Sequence, residues 1–349
     1  MADSYTQFSE ADKVSSIDRV FASAWSNNTN DLGTSHFSSS TQYVTSDPTA
    51  SGAFFMEIYD KDPSDSTAEV QYSIAYGNKD GGGGLQFNDG AGAEDITSTK
   101  AIYSQYRSLV FGGDENQTFN FNGHTPNGIY VININRARYK NALRMGNVAL
   151  QLSGSTHLLK LTDDSVTTSG SANAFRPGVG REFNIVSGSS GTRVGSNNTY
   201  VDASGSYGLI YPDAGFIILN EDALDESAAN KGIALGTVVT SDNEARNPVK
   251  LQNALKLGGS FILDSQEDIA GRFYFIRVRN QEFNYSTNDS FTENDGSLKY
   301  DSMIDNPQVY ITTVGLYNDN QDLLAVAKLS QPLPKDFTKE ALIKVKLDY

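Results

Sequence analysis

The side chains best suited to chemistry are few and scattered. The chain of 349 residues has no cysteine. That removes disulfides, thiolate metal sites, iron–sulfur clusters and thiol nucleophiles. Its histidines are His36, His124 and His157. No two stand four residues apart, the spacing that lets one helix face hold zinc. His36 sits in a Ser/Thr-rich stretch and His124 in a turn, Phe121-Asn-Gly-His-Thr-Pro126. Both read as loop residues. A serine nucleophile of the hydrolase type needs a strained G-x-S-x-G elbow, and none is present. The run Gly81–Gly84 leads into Leu85-Gln-Phe without the lysine that a phosphate cradle needs. Gly178-Val-Gly180 lacks the third glycine of a dinucleotide fingerprint.

Carboxylates are plentiful but poorly patterned. Asn318, Asn320 and Asp322 alternate like the first ligands of a calcium loop. Leu323 then stands where the loop needs glycine, and Leu329 where it needs a bidentate glutamate. A hairpin turn explains this segment better. Asp60, Asp62 and Asp65 form a second acidic turn. Sequence cannot place two carboxylates at glycosidase separation, so glycan hydrolysis rests on their abundance alone. We expect no catalytic residues, no cofactor and no resident metal.

Composition narrows the partners. The 27 Lys+Arg against 42 Asp+Glu leave a net charge of −15. Such a surface disfavours nucleic acid, whose binding displaces counterions with cations, and an anionic membrane. No apolar run reaches the roughly 18 residues of a membrane-spanning helix. Residues 1–9 lack a basic segment followed by an apolar one, so no secretory signal is expected. With 31 Gly, 18 Tyr, 18 Phe and a single Trp, the profile fits aromatic and β-branched strands joined by polar turns. An aromatic content of 11% argues against disorder.

The elements follow from periodicity. In residues 9–25, Val14, Ile17, Val20, Phe21 and Trp25 fall at helical spacing. Ser9 and Asp12 resemble a weak capping box. This predicts an amphipathic helix on a polar tether, an arm covering residues 1–50. Such a helix packs either on its own domain or on a neighbouring subunit. Residues 97–110 predict a second helix and residues 136–145 a short basic one. Strands are predicted at residues 54–59, 70–76, 129–135, 148–152, 209–211, 216–219, 272–279, 310–317 and 323–329. At the end, Ala341, Ile343, Val345, Leu347 and Tyr349 alternate with Leu342, Lys344, Lys346 and Asp348. That is a half-buried antiparallel strand. Residues 153–207 are rich in Gly, Ser and Thr and predict a β insertion, with short apolar pieces at residues 158–161 and 183–186. No repeat of 20–50 residues appears. The expected fold is mainly β, an antiparallel sandwich-like body with a few short helices, with α+β as the alternative. The body comprises residues 51–152 and 208–349.

The last 80 residues carry the most distinctive text, GRFYFIRVRNQE, MIDNPQVY and ITTVGLYNDNQDLLAVAKLSQPLPKDFTKEALIKVKLDY. With KAIYSQYRSLV and IYVININRARYKNALRMGNVALQLSG upstream, they resemble virion structural proteins of T4-like contractile-tailed phages, notably marine and cyanobacterial ones. The resemblance covers most of the chain from about residue 70. The pattern from Ile311 to Lys328 is also similar to a motif of tail-collar and tail-fibre attachment modules. It departs from that motif at Thr313, where fibres often carry glutamate, and no shaft or tip follows. The resemblance implies a compact structural subunit of a tailed phage, in the tail or baseplate region, with collar or head surface as alternatives. It implies assembly in the bacterial host cytoplasm, partners among other virion proteins and symmetric copies of itself, and no enzymatic role.

The expected partner contacts are Val14, Ile17, Phe21 and Trp25 of the arm, with Ile343, Val345 and Leu347 of the last strand. Intramolecular packing is the competing role for both groups. A carbohydrate- or receptor-binding module is the alternative function, with Phe87, Tyr200, Tyr207 and Phe291 as candidate stacking residues.

Overall fold

Runs of branched and aromatic residues between Gly/Asn/Ser turns become strands here. A pleated, buried surface accommodates their stiff side chains. The computed structural model describes residues 5–26, 38–39, 55–82, 98–154, 157–193, 206–235, 247–286 and 288–349. The fold is mainly β and antiparallel.

Along the chain come β1 (Lys13–Ser23), β2 (Ser38–Ser39), β3 (Phe55–Tyr59), β4 (Val70–Asn78), α1 (Ser98–Phe111), β5 (Gly128–Ile134), β6 (Ala142–Leu143) and β7 (Ala149–Ser153). Then follow β8 (Leu158–Asp163), β9 (Ala174–Arg176), β10 (Gly180–Ser189), β11 (Thr192–Arg193), β12 (Gly208–Tyr211), β13 (Phe216–Asn220) and α2 (Glu221–Asp225). The rest are α3 (Asn247–Gly258), β14 (Phe261–Ile262), β15 (Asp264–Val278), α4 (Ser302–Asp305), β16 (Val309–Tyr317), β17 (Leu323–Lys335) and β18 (Ala341–Asp348).

The chain divides into two units, Val20–Glu267 and, from its two ends, Met1–Arg19 with Asp268–Tyr349. The larger unit is built on one sheet in the order β14-β7-β8-β10-β12-β13-β5-β4-β3-β2, with β9 and β11 also paired to β10. Strand β5 shows how both faces are used. Tyr130, Ile132 and Ile134 enter one core, with Leu251, Ala254 and Leu255 of α3. Ile129 and Val131 enter the other, with Tyr103 and Val110 of α1. Helix α3 packs on β7, β3 and β4, which lie towards opposite ends of the strand order. The sheet therefore curls around α3, while α1 covers the reverse face.

The smaller unit has two layers. β15 pairs with β18 from Gly271↔Asp348 to Val278↔Ala341, and β1 lies on the other side of β15. The second layer is the β16–β17 hairpin, with register shifts near Thr313 and Tyr317. Val278, Ile343, Val345 and Leu316 are buried between the layers, with Tyr274, Ile311, Val314, Leu329 and Leu347 around them.

Four expectations need correction. Residues 9–25 are not a helix. The Ser9–Asp12 box forms, since Ser9 gives both its N–H and its hydroxyl to Asp12, but it closes only a single 3-10 turn, Glu10–Asp12. The chain then extends as β1, because β15 offers a pairing edge and Val14, Ile17, Val20 and Phe21 favour a strand. Residues 136–145 hold a 3-10 turn, Arg136–Arg138, followed by β6, not a basic helix. Residues 153–207 are not a separate insertion, for β8 and β10 are interior strands of the large sheet. The contact division falls at Arg19/Val20 and Glu267/Asp268 and not at the expected arm, body and insertion boundaries, and residues 27–37 and 40–50 of the expected arm lie outside the described residues.

Candidate functional site

The arm residues part company in the structure. Val14, Ile17 and Phe21 are 47%, 66% and 43% exposed on β1. Phe21 lies beneath the Arg144 guanidinium, 4.2 Å from its ring centroid. Trp25 is a core residue, 2% exposed. Its indole Nε1–H donates to the Phe261 carbonyl at 2.9 Å, and its ring packs on those of Phe261 and Tyr72. On β18 the alternation holds, and the apolar face looks inward. Ile343 and Val345 are buried in their own unit and Leu347 packs beside them. Outward stand Leu342, Lys344 and Lys346.

Among the outward surfaces of the smaller unit with apolar content, two are built on its hairpin and its last strand. The first is the outer side of the hairpin, where Tyr310, Tyr317, Leu323, Leu324 and Val326 are all exposed. Here Tyr317 folds over Gly315. A β-carbon at Gly315 would lie 2.8 Å from the Tyr317 ring and 3.3 Å from Leu323 Cδ1. Tyr5 meets the same ring edge-on at 5.2 Å. The second surface is the outer face of β15 and β18. Phe273 pairs across the strands with Lys346 and Phe275 with Lys344. The Lys344 ammonium sits 3.8 Å from the Phe273 centroid, within cation–π range. Lys346 is held by Asp18 at 2.6 Å and Asp348 at 3.0 Å. Hydrogen bonds to these two carboxylates, Asp18 first, raise its pKa.

The titratable groups fall into a few clusters. His124 is in a turn, and its Nε2 meets Asp222 Oδ2 at 2.7 Å. His157 lies in the short loop before β8, and His36 is outside the described residues. The Asn318–Asp322 pair spends its polar groups on the turn: Asn318 Nδ2–H reaches Asp322 Oδ2 at 2.9 Å and Asp322 N–H reaches Asn318 Oδ1 at 2.7 Å. Asp62 and Asp65 accept from Ser64 and Thr67, and these bonds lower both pKa values. Asp60 accepts from Glu69 N–H and the Ser26 hydroxyl. Among the described residues no three His, Asp or Glu are placed to hold a metal. No described helix is long and apolar enough to cross a membrane.

Two of the four aromatic candidates for sugar stacking, Tyr207 and Phe291, fall among the described residues. Phe87 and Tyr200 lie outside the described residues. Tyr207 is buried, and its hydroxyl donates to the Lys231 carbonyl at 3.0 Å. Phe291 meets Tyr285 edge-on at 5.7 Å.

Two buried polar sites escape sequence reading. Lys335 is 1% exposed. Its ammonium donates to Asn284 Oδ1 at 2.7 Å, the Asn280 carbonyl at 2.9 Å and the Asp336 carbonyl at 3.0 Å. Three donors meet three oxygens, so this buried cation is satisfied without a carboxylate. It ties the end of β17 to the segment after β15. The other site surrounds Glu221, whose carboxyl accepts the Tyr76 hydroxyl at 2.8 Å. Its members come from residues 76 to 250 and share no spacing that could have announced them.

Comparison of the chain with protein-family models, curated proteins and solved structures returns no match.

Proposed function

We propose that the chain is a structural subunit of a tailed bacteriophage particle, in its tail or baseplate region, and acts by contact between subunits. The observation that carries this reading is the outer side of the β16–β17 hairpin. Its inner side already supplies Ile311, Val314, Leu316 and Leu329 to the core, yet its outer side exposes Tyr310, Tyr317, Leu323, Leu324 and Val326. A ribbon apolar on both faces gains stability when the second face is covered. The same segment, Ile311 to Lys328, carries the resemblance to attachment modules. Among the described residues β18, β16 and β17 each also have an unpaired edge, a ready acceptor for another strand. The charge of −15 keeps free subunits apart before assembly. On this reading the partners are other structural subunits and further copies of the chain, and its place is the virion.

The test uses the full chain. Removing residues 1–30 would take away a sheet strand and the core tryptophan, so point changes serve better. A Leu324→Lys/Val326→Lys double variant is expected to keep the far-UV circular dichroism of the parent and to fail to enter particles in a complementation assay. Mass spectrometry of separated heads and tails is expected to find the parent protein in the tail fraction. Absence from every fraction, or normal incorporation of the double variant, would overturn the proposal.

A further inference from the structure

One end of the larger sheet gathers ionisable groups on the face that carries α3. Asn220 caps α2, its Oδ1 accepting from Ala223 N–H at 3.4 Å and its Nδ2–H donating to the Ser206 carbonyl at 2.9 Å. The next residue, Glu221, is thereby turned inward and is 5% exposed. On β4, Tyr76 donates its hydroxyl to Glu221 Oε1 and accepts from Asn78 Nδ2–H at 3.3 Å. On β5, the carboxyl fills the room left by a missing side chain. A β-carbon at Gly128 would lie 1.5 Å from Glu221 Oε2 and 2.6 Å from Tyr76 Oη. Also on β5, the fully buried Tyr130 hydroxyl has no hydrogen-bond partner. It feels the charges of Glu221 and Asp225.

The remaining neighbours are charged. Asp222 and Asp225 flank Glu221 on α2, and Lys250 approaches from α3. Asp222 in turn holds His124. Burial dominates, and with Asp225 and Asp222 it outweighs the Tyr76 hydrogen bond and Lys250, so the Glu221 carboxyl is pushed up to about 7. Burial also lowers the pKa of Lys250.

We propose that Glu221 is a proton-operated latch: protonated, it seats α2 against β4 and β5, and ionised, it releases α2 and the His124 turn attached to it. The protonated carboxyl fits a cavity shaped by Gly128 and two tyrosines. The carboxylate is a desolvated charge beside two like charges, in a site that offers it one hydroxyl donor. Because the seated value lies above the ordinary glutamate value of 4.5, the seated form is favoured at low pH and loses that advantage as pH rises through about 7. The limiting change in the closed-to-open ratio is about 300-fold, the factor by which the two acid constants differ. Asp222, Asp225, Tyr76, Tyr130, Lys250 and His124 all remain when Glu221 alone is changed to glutamine. That variant therefore isolates the latch.

Hydrogen–deuterium exchange of the full chain tests this, read at peptides spanning residues 220–226 from about pH 5.5 to about pH 8.5 and corrected for intrinsic exchange rates. In the parent these amides are expected to lose at least about tenfold in protection over that range. Glu221→Gln, a neutral match in shape, is expected to keep the acid-side protection at both ends. Gly128→Ala, which evicts the carboxyl, is expected to exchange fast throughout. A flat parent profile, or the same step surviving in Glu221→Gln, would overturn the proposal.

Discussion

Replacing Trp25 asks whether the N-terminal segment is an arm or part of the core. The structure puts 98% of this residue out of reach of water, with only 2% exposed. Burying an indole of about 200 Å² at about 25 cal/mol per Å² is worth about 5 kcal/mol. Alanine recovers a little of that by relaxation, and comparable core truncations cost about 3–5 kcal/mol. Trp25→Ala also strips the Phe261 carbonyl of its 2.9 Å donor, a further penalty of about 1–3 kcal/mol if water cannot reach it. We expect a loss of about 5 kcal/mol, a large share of the 5–15 kcal/mol that usually holds a domain together. Trp25→Phe keeps the ring contacts with Tyr72 and Phe261 and drops the donor, so its loss should be about 1–3 kcal/mol. Urea unfolding followed by circular dichroism measures both, since the variants lack the chain's single tryptophan. In the parent, Trp25 fluorescence should resist iodide quenching. A Trp25→Ala variant within about 0.5 kcal/mol of the parent, or free quenching by iodide, would refute the burial argument and restore the arm.

Other consequences are as open to measurement. Lys335→Met leaves the Asn284 amide oxygen and the Asn280 and Asp336 carbonyls without their donor, and should cost about 3 kcal/mol in urea unfolding. Arg144→Ala removes the cation above Phe21 and the 3.1 Å partner of Asp264. Its loss should be about 1–2 kcal/mol, and a double-mutant cycle with Asp264→Asn should recover part of it. Gly315→Ala should displace the Tyr317 ring, visible as the loss of the Tyr5–Tyr317 contact in aromatic proton spectra. Unchanged ring shifts would show that the hairpin surface is organised differently.

The strands were largely legible because their apolar runs are short, branched and bounded by turns. Residues 70–76 and 129–135 mark β4 and β5 to within a residue or two. The helix at residues 98–111 showed itself through Tyr103, Tyr106 and Val110. The misreading at β1 has a physical cause. Val14, Ile17 and Phe21 do fall at helical spacing, but that spacing marks a helix only when the stripe is buried, and here it is exposed. What makes β1 a strand is its hydrogen-bonded neighbour β15, about 250 residues away. Helix α3 went unread because Leu251, Ala254 and Leu255 are a modest stripe among polar residues, although Pro248 near its start is a good opening signal. The 153–207 stretch looked like an insertion because glycine and serine dominate its turns, while the strands between them are short. The Glu221 site was beyond reach, since its chemistry arises from where the sheet places a glycine and two tyrosines.

The smaller unit is made from the two ends of the chain, and this orders events during synthesis. The larger unit is one continuous stretch, Val20–Glu267, so its residues are all made before residues 268–349. Strand β1 must wait for β15, the strand it pairs with. At typical elongation rates of about 5–20 residues per second, the wait is roughly 13–50 s. An unpaired strand with apolar residues on both faces invites wrong partners for that whole interval. Lys13, Asp18 and Arg19, spread along β1, act as gatekeepers against such pairing. A subunit lacking β15 would leave β1 without the strand it pairs with.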